Sequence, residues 1–262
     1  MHEPGGETVT DEASGADALL DRAQRPYRLA RGLLERGEHE AAIEALREAL
    51  RTLTAAPGQA GPVAIVLDAL AVALTRSGAV AQAVQARREA ARLLEAEPER
   101  TGQAAENAHA LAILCFQSGA VEEAEAAYRL AIARYRSTAQ AEGPLALALH
   151  GLGTLLTVSG EAGEAADCFT EAADLLSSIP EAQGARSDVL RSLAALSRGL
   201  GRLEEADSVQ RRAVELLEPL GDPVSSAEAL RELGVLRLEA GAPERAIEPL
   251  RAAALAGEEV PE

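Results

Sequence analysis

Two histidines, His109 and His150, stand 41 residues apart, with Asp68 and Glu106 as the nearest carboxylates in the same stretch. A zinc site needs three or four ligands converging on one point. Two imidazoles in separate segments with two scattered acids fall short, so no metal is expected; a pH-sensitive contact suits the pair better. Cys115 and Cys168 are too few for a disulfide framework or a zinc cluster. Neither has a His or Asn placed to form a nucleophilic dyad, so both read as small buried hydrophobes. His39 and His2 read as solvent-exposed. The chain shows no phosphate-cradling glycine loop and no nucleophile elbow. The expectation is no catalytic residue, no cofactor and no enzyme.

Charge narrows the partners. The chain has 42 acidic against 25 basic residues, a net −17, and every one of the basic residues is arginine. The absence of lysine reflects a GC-rich bacterial coding sequence before it reflects chemistry. A net charge of this sign argues against nucleic acid, whose recognition needs a basic footprint. It is compatible with basic or mixed-charge protein partners. The first residues lack the basic and apolar regions of a signal peptide, and no stretch approaches the ~18 apolar residues of a membrane span. A cytoplasmic location without membrane contact is expected.

The elements that carry these residues are helices in a tandem array. Apolar residues make up 47% of the chain but aromatics only 2%, so the core must be built from Ala and Leu in thin helix–helix seams. Gly37, Gly78, Gly119, Gly160 and Gly201 recur every 41 residues, and Gly241 follows 40 later. Eight residues before each stands a leucine: Leu29, Leu70, Leu111, Leu152, Leu193, Leu233. Five after each stands an alanine (Ala42, Ala83, Ala124, Ala165, Ala206, Ala246), and seven further on a second (Ala49, Ala90, Ala131, Ala172, Ala213, Ala253). These columns are complete in all six copies. Apolar residues three and four apart on both sides of each glycine predict a helix pair. The glycine ends the first helix by turning left-handed. Pro57, Pro98 and Pro180 keep the same frame, while Pro62 and Pro144 suit a first helical turn.

Leu152-Gly153, Ala165, Phe169 and Ala172 in one repeat, and Leu111-Ala112, Ala124, Tyr128 and Ala131 in the one before, resemble the tetratricopeptide repeat. That repeat commonly spans 34 residues. The period here is similar to the lengthened kind of kinesin-light-chain-type and bacterial regulatory proteins. The departure is the missing Trp early in the first helix, where Leu67, Ala108, Leu149, Leu190 and Leu230 stand. The resemblance implies an all-α, right-handed superhelical α-solenoid of about six helix–turn–helix repeats. Residues 1–15 read as a disordered acidic tail, and 16–257 as a single solenoid with repeats at approximately 16–57, 58–98, 99–139, 140–180, 181–221 and 222–257. Pro26 is expected to kink a long opening helix or to set off a short cap. Pro249 should weaken the last helix, leaving it to pack against a second copy as a homodimer.

The resemblance also implies that residues ten, six and three before each glycine face a concave groove. The candidate partner-binding residues are Tyr27, Arg31, Asp68, Val72, His109, Ile113, Phe116, His150, Thr154, Thr157, Arg191, Arg198 and Arg231. Arginines would engage carboxylates of a bound peptide while Ile113 and Phe116 meet an apolar side chain. The Lys/Asn carboxylate clamp of chaperone co-factors is absent: Tyr27 and Arg31, or Asp68 and Val72, occupy its places. The implied function is a protein-interaction scaffold. A ligand-responsive sensor and an accessory protein or enzyme of a biosynthetic pathway are the alternatives.

Overall fold

The computed structural model describes residues 8–55 and 58–258, with side chains over 20–55 and 58–256. Among these the chain forms twelve α-helices and no strand. They are α1 (Thr8–Glu35), α2 (His39–Leu53), α3 (Ala60–Arg76), α4 (Val80–Glu95), α5 (Thr101–Gln117) and α6 (Val121–Arg136), then α7 (Glu142–Ser159), α8 (Ala162–Ser177), α9 (Gln183–Gly199), α10 (Leu203–Leu217), α11 (Pro223–Glu239) and α12 (Pro243–Glu258). The chain divides into two compact units, Met1–Thr138 and Ala139–Glu262. In each unit three antiparallel pairs follow one another, and the second helix of a pair packs on the first helix of the next.

α1 already begins at Thr8, inside the stretch expected to be a tail, and runs unbroken through Pro26. Residues 1–7, with His2, and Pro57 lie outside the described residues. α12 likewise runs through Pro249, which is buried.

Every repeat glycine takes the left-handed conformation, with φ between +70° and +86°. At Gly119 the amide donates to Phe116 O at 3.0 Å and the next amide, Ala120, to Cys115 O at 2.9 Å. This double closure satisfies the last carbonyls of the first helix and aims the chain into the second. The same two bonds recur at all six glycines.

All six alanines at the fifth-after position are fully buried, and five of the six at the twelfth-after position are too. The exceptions fall mainly in the first and last of the described pairs. Leu29 is 56% exposed, and Ala253 and Ile247 of the last helix are partly and 66% exposed. Leu193 is half-buried. The packing columns, uniform in sequence, are therefore uneven in burial.

The tightest seam joins the residue seven before each glycine to the residue nine after it. Phe169, 1% exposed, lies across Gly153, where an added Cβ would sit 2.7 Å from Phe169 Cε1. Leu250 lies across Gly234 in the same way. Elsewhere the seventh-before position is Ala30, Ala71, Ala112 or Ala194. The size pairing gives a test. Gly153→Ala gains ~1 kcal/mol of helix propensity but overpacks the seam at a cost of ~1–3 kcal/mol. It should lower the melting temperature, and Phe169→Leu in the same chain should restore part of the loss. Gly163→Ala, where no atom lies within 4 Å of the new Cβ, should raise it instead. Thermal unfolding by circular dichroism reads all three.

Candidate functional site

In the second unit the first helices of three successive repeats leave a cavity of about 370 Å³. α7 supplies His150. α9 supplies Asp188, Arg191, Ser192, Ala194, Ala195 and Arg198, spaced three and four apart so that they share one face. α11 supplies Glu232 and Leu236, and Gln210 reaches in from α10. Three expected groove residues, His150, Arg191 and Arg198, thus come together. Asp188, Ser192, Gln210 and Glu232 were not anticipated.

Arg191 is the centre of the site's charge. Its Nε and NH2 donate to the two oxygens of Glu232, both at 2.9 Å, NH2 also reaches Glu228 Oε2 at 3.2 Å, and NH1 lies 3.5 Å from Asp188 Oδ1. The hydrogen bond that Arg191 donates to Glu232 raises the Arg191 pKa against the opposing effect of burial. Burial pushes the Glu232 carboxyl up, but the hydrogen bond and charge of Arg191 outweigh it and hold the group below its ordinary value. Arg191 was expected to engage a partner's carboxylates. Instead the chain's own acids occupy it. Arg198 is exposed and pairs with Glu239 at 3.7 Å.

His150 Nε2 lies 2.9 Å from Ser192 Oγ, and that hydroxyl donates to Asp188 O at 3.1 Å. The hydroxyl has one proton, so it accepts from His150, which places the neutral ring's proton on Nε2. The imidazole stands edge-on to Phe169, centroids 5.7 Å apart. Burial lowers its pKa, with Asp188 opposing.

The first unit places its candidates differently. Asp68 is held inside the fold: Oδ1 accepts from Arg87 NH1 at 2.8 Å and from Asn107 Nδ2 at 2.6 Å. The fold's own side chains thus engage one oxygen of this carboxylate, whose side chain is 28% exposed. Burial raises its pKa, with Arg87 and Asn107 pulling the other way. His109 contacts the rings of Tyr128 and Tyr135, centroids 5.9 and 6.2 Å away, and burial lowers its pKa. Each of the two histidines is therefore engaged by aromatics of its own repeat. Tyr27 lines a separate apolar pocket of about 130 Å³ with Leu20, Leu53 and Val66. Val72 and Phe116 are half-buried, while Arg31, Ile113 and Arg231 are exposed. Thr154 and Thr157 are exposed and turn their hydroxyls to the helix carbonyls of His150 and Gly153. His39, expected on the surface, is half-buried with Nδ1 unpartnered. Cys115 and Cys168 are buried as expected, and burial pushes the Cys115 thiol up to about 11. Among the described residues no group of three or more His, Cys, Asp or Glu could hold a metal ion, and no helix is long and apolar enough to cross a membrane.

One regularity escaped the column-by-column reading. In three repeats the tenth-before residue meets the ninth-after residue, nineteen positions on, and in a fourth the two share a partner. Asp68 pairs with Arg87, His109 with Tyr128, His150 with Phe169, and Arg191 shares Glu232 with Gln210. Opposite charges or stacking rings at a constant spacing of nineteen were the available signal.

The histidines make stability depend on pH. Both have folded-state values below the ordinary 6.5, so the unfolded chain takes up protons first as pH falls. Their contribution is complete above about 6.5 and is lost below it. A chain carrying His109→Gln and His150→Gln should lose less melting temperature between about pH 6.5 and 5 than the natural chain. Equal losses in scanning calorimetry would remove the histidines from the account.

No protein-family model matches the chain, and no curated protein matches it. Solved structures do. BtubC (BKLC) from P. vanneervenii is 18% identical, with 94% of each chain covered and a TM-score of 0.66. A putative kinesin light chain of Podospora anserina with nearly identical TPR-like repeats is 18% identical, covering 73% of this chain and 93% of that one at a TM-score of 0.62. A signal transduction ATPase with numerous domains and a tetratricopeptide repeat sensor, from Pyrococcus horikoshii, is 11% identical, with 90% of this chain and 36% of that one covered at a TM-score of 0.79. Stacked helix pairs, left-handed glycine turns and alanine seams account for that likeness: this chain has the tetratricopeptide-repeat fold.

Proposed function

We propose that the chain is a non-enzymatic protein-interaction scaffold, its six repeats over residues 16–257 acting as one cytoplasmic array that holds a peptide or protein segment along the first-helix face. The observation that carries this is the second-unit cavity. It opens among His150, Arg191, Ala195 and Arg198, which occupy the tenth-, sixth- and third-before positions predicted to face a ligand. Seven of its ten lining residues are polar or charged, with Ala194, Ala195 and Leu236 the apolar remainder, a lining that suits a hydrogen-bonding or charged segment. The acidic balance of the chain suits a basic or mixed-charge partner. A second reading, a ligand-responsive regulatory protein, draws on the sensor role named for the Pyrococcus horikoshii match.

Ala195 is exposed on the cavity wall, so an indole there blocks the space without disturbing the seams. Ala195→Trp should leave the melting temperature unchanged and remove the partner captured from a native lysate by the natural chain, as read by mass spectrometry. The same protein captured in the same amount would move the interface off this face. Turnover that disappears with His109 and His150 would overturn the scaffold reading.

A further inference from the structure

The second-unit cavity presents more acceptors than free donors: of its two arginines Arg191 is engaged by the chain's own acids, and the exposed Arg198 keeps donors free. Gln210 lines it, yet is only 2% exposed. Its Nε2 donates to Ala229 O at 2.9 Å and to Glu232 Oε2 at 3.1 Å. Both of those oxygens can only accept, so chemistry fixes which end of the amide faces them. Oε1 accepts no hydrogen bond among the described residues. The oxygen is not among the sealed unpartnered atoms of the fold, and Gln210 lines the cavity, so a donor can reach it from there.

The charges around it have the same sense. Asp188, Glu228, Glu232 and Glu239 stand against Arg191 and Arg198, with Arg231 a more distant positive neighbour of Glu232. Arg191 has spent its fork on three carboxylates and has little to give a ligand. Two of those carboxylates are held loosely: Asp188 at 3.5 Å and Glu228 at 3.2 Å, with side chains 61% and 53% exposed. Each keeps acceptor capacity; Asp188 lines the cavity itself, and Glu228 stands beside it on Arg191. The neutral His150, with its proton spent on Ser192, adds no positive charge.

We infer that the cavity receives a guanidinium: an arginine side chain of the partner, with one edge of its fork on Gln210 Oε1 and another on Asp188 or Glu228. A planar fork of donors matches an amide oxygen beside a carboxylate, whereas an acidic side chain would meet the carboxylates around Arg191 and find free donors only on Arg198 at the exposed side. This rests on reading the cavity as the partner site and gives that partner its chemistry.

The probe is Nα-acetyl-L-arginine N-methylamide, titrated calorimetrically into the full chain beside its uncharged citrulline isostere and its glutamate counterpart. Saturable binding of the arginine probe is expected, with the other two about tenfold weaker or undetectable. Asp188→Asn with Glu228→Gln should weaken the arginine probe about tenfold without changing the melting temperature, since both side chains are exposed. Gln210→Met should weaken it as well; were that variant to unfold, the double variant alone decides. No saturable arginine binding, citrulline binding as tight as arginine, or an unaffected double variant overturns the assignment. If the probe fails while Ala195→Trp still abolishes capture, only the guanidinium is wrong. If the probe binds and capture is indifferent to Ala195→Trp, the cavity stays a guanidinium site and the peptide reading falls.

Discussion

The close approach of two helices across a missing side chain is the constraint on which the fold depends. Seven residues before each turn glycine the chain carries Ala or Gly and nine after it a bulkier residue, and at Gly153 and Gly234 that side chain, Phe169 or Leu250, lies across the gap. With 2% aromatics, the chain cannot rely on one thick core. It relies on many narrow contacts of this kind, each near crystal packing density. Repeats built this way draw stability from themselves and their immediate neighbours only. Burial is accordingly complete at Ala124 and Ala165 and poor at Leu29 and Ile247, in the first and last of the described pairs.

That seam also sets the site's chemistry. The side chain that crosses it is the same one that meets the tenth-before residue, so the packing position and the groove position are one contact. Arg87 closes over Asp68, Phe169 over His150, and Gln210 joins Arg191 at Glu232. Asp68, His109, His150 and Arg191 are thus braced by the fold itself.

Much of the fold was legible in the chain itself because glycine and alanine at fixed spacing leave few alternatives. Gly160 must end a helix where nothing else tolerates φ of +86°, and Ala165 must be small where helices touch. The site was legible in position but not in sign. Arg191, read alone, is a cation awaiting an anion. Its partners, Glu228 and Glu232, come from the next repeat, 37 and 41 residues on. Reading each column by itself hides such pairs, because they lie between neighbouring columns of neighbouring repeats. The extent of α1 was missed for another reason. Thr8–Ser14 have a polar composition without helical periodicity, yet they continue a helix that the later part of α1 has already nucleated.

The nineteen-residue coupling has a consequence for how such a protein changes over generations. A groove residue exchanged alone strands its brace: a histidine in place of Asp68 would leave the guanidinium of Arg87 buried without its counter-ion. A change of charge there must then arrive as two substitutions rather than one, and an intermediate bearing only the first is selected against for its folding. The smallest heritable unit at such a position is a pair of sites, one on each helix of the repeat.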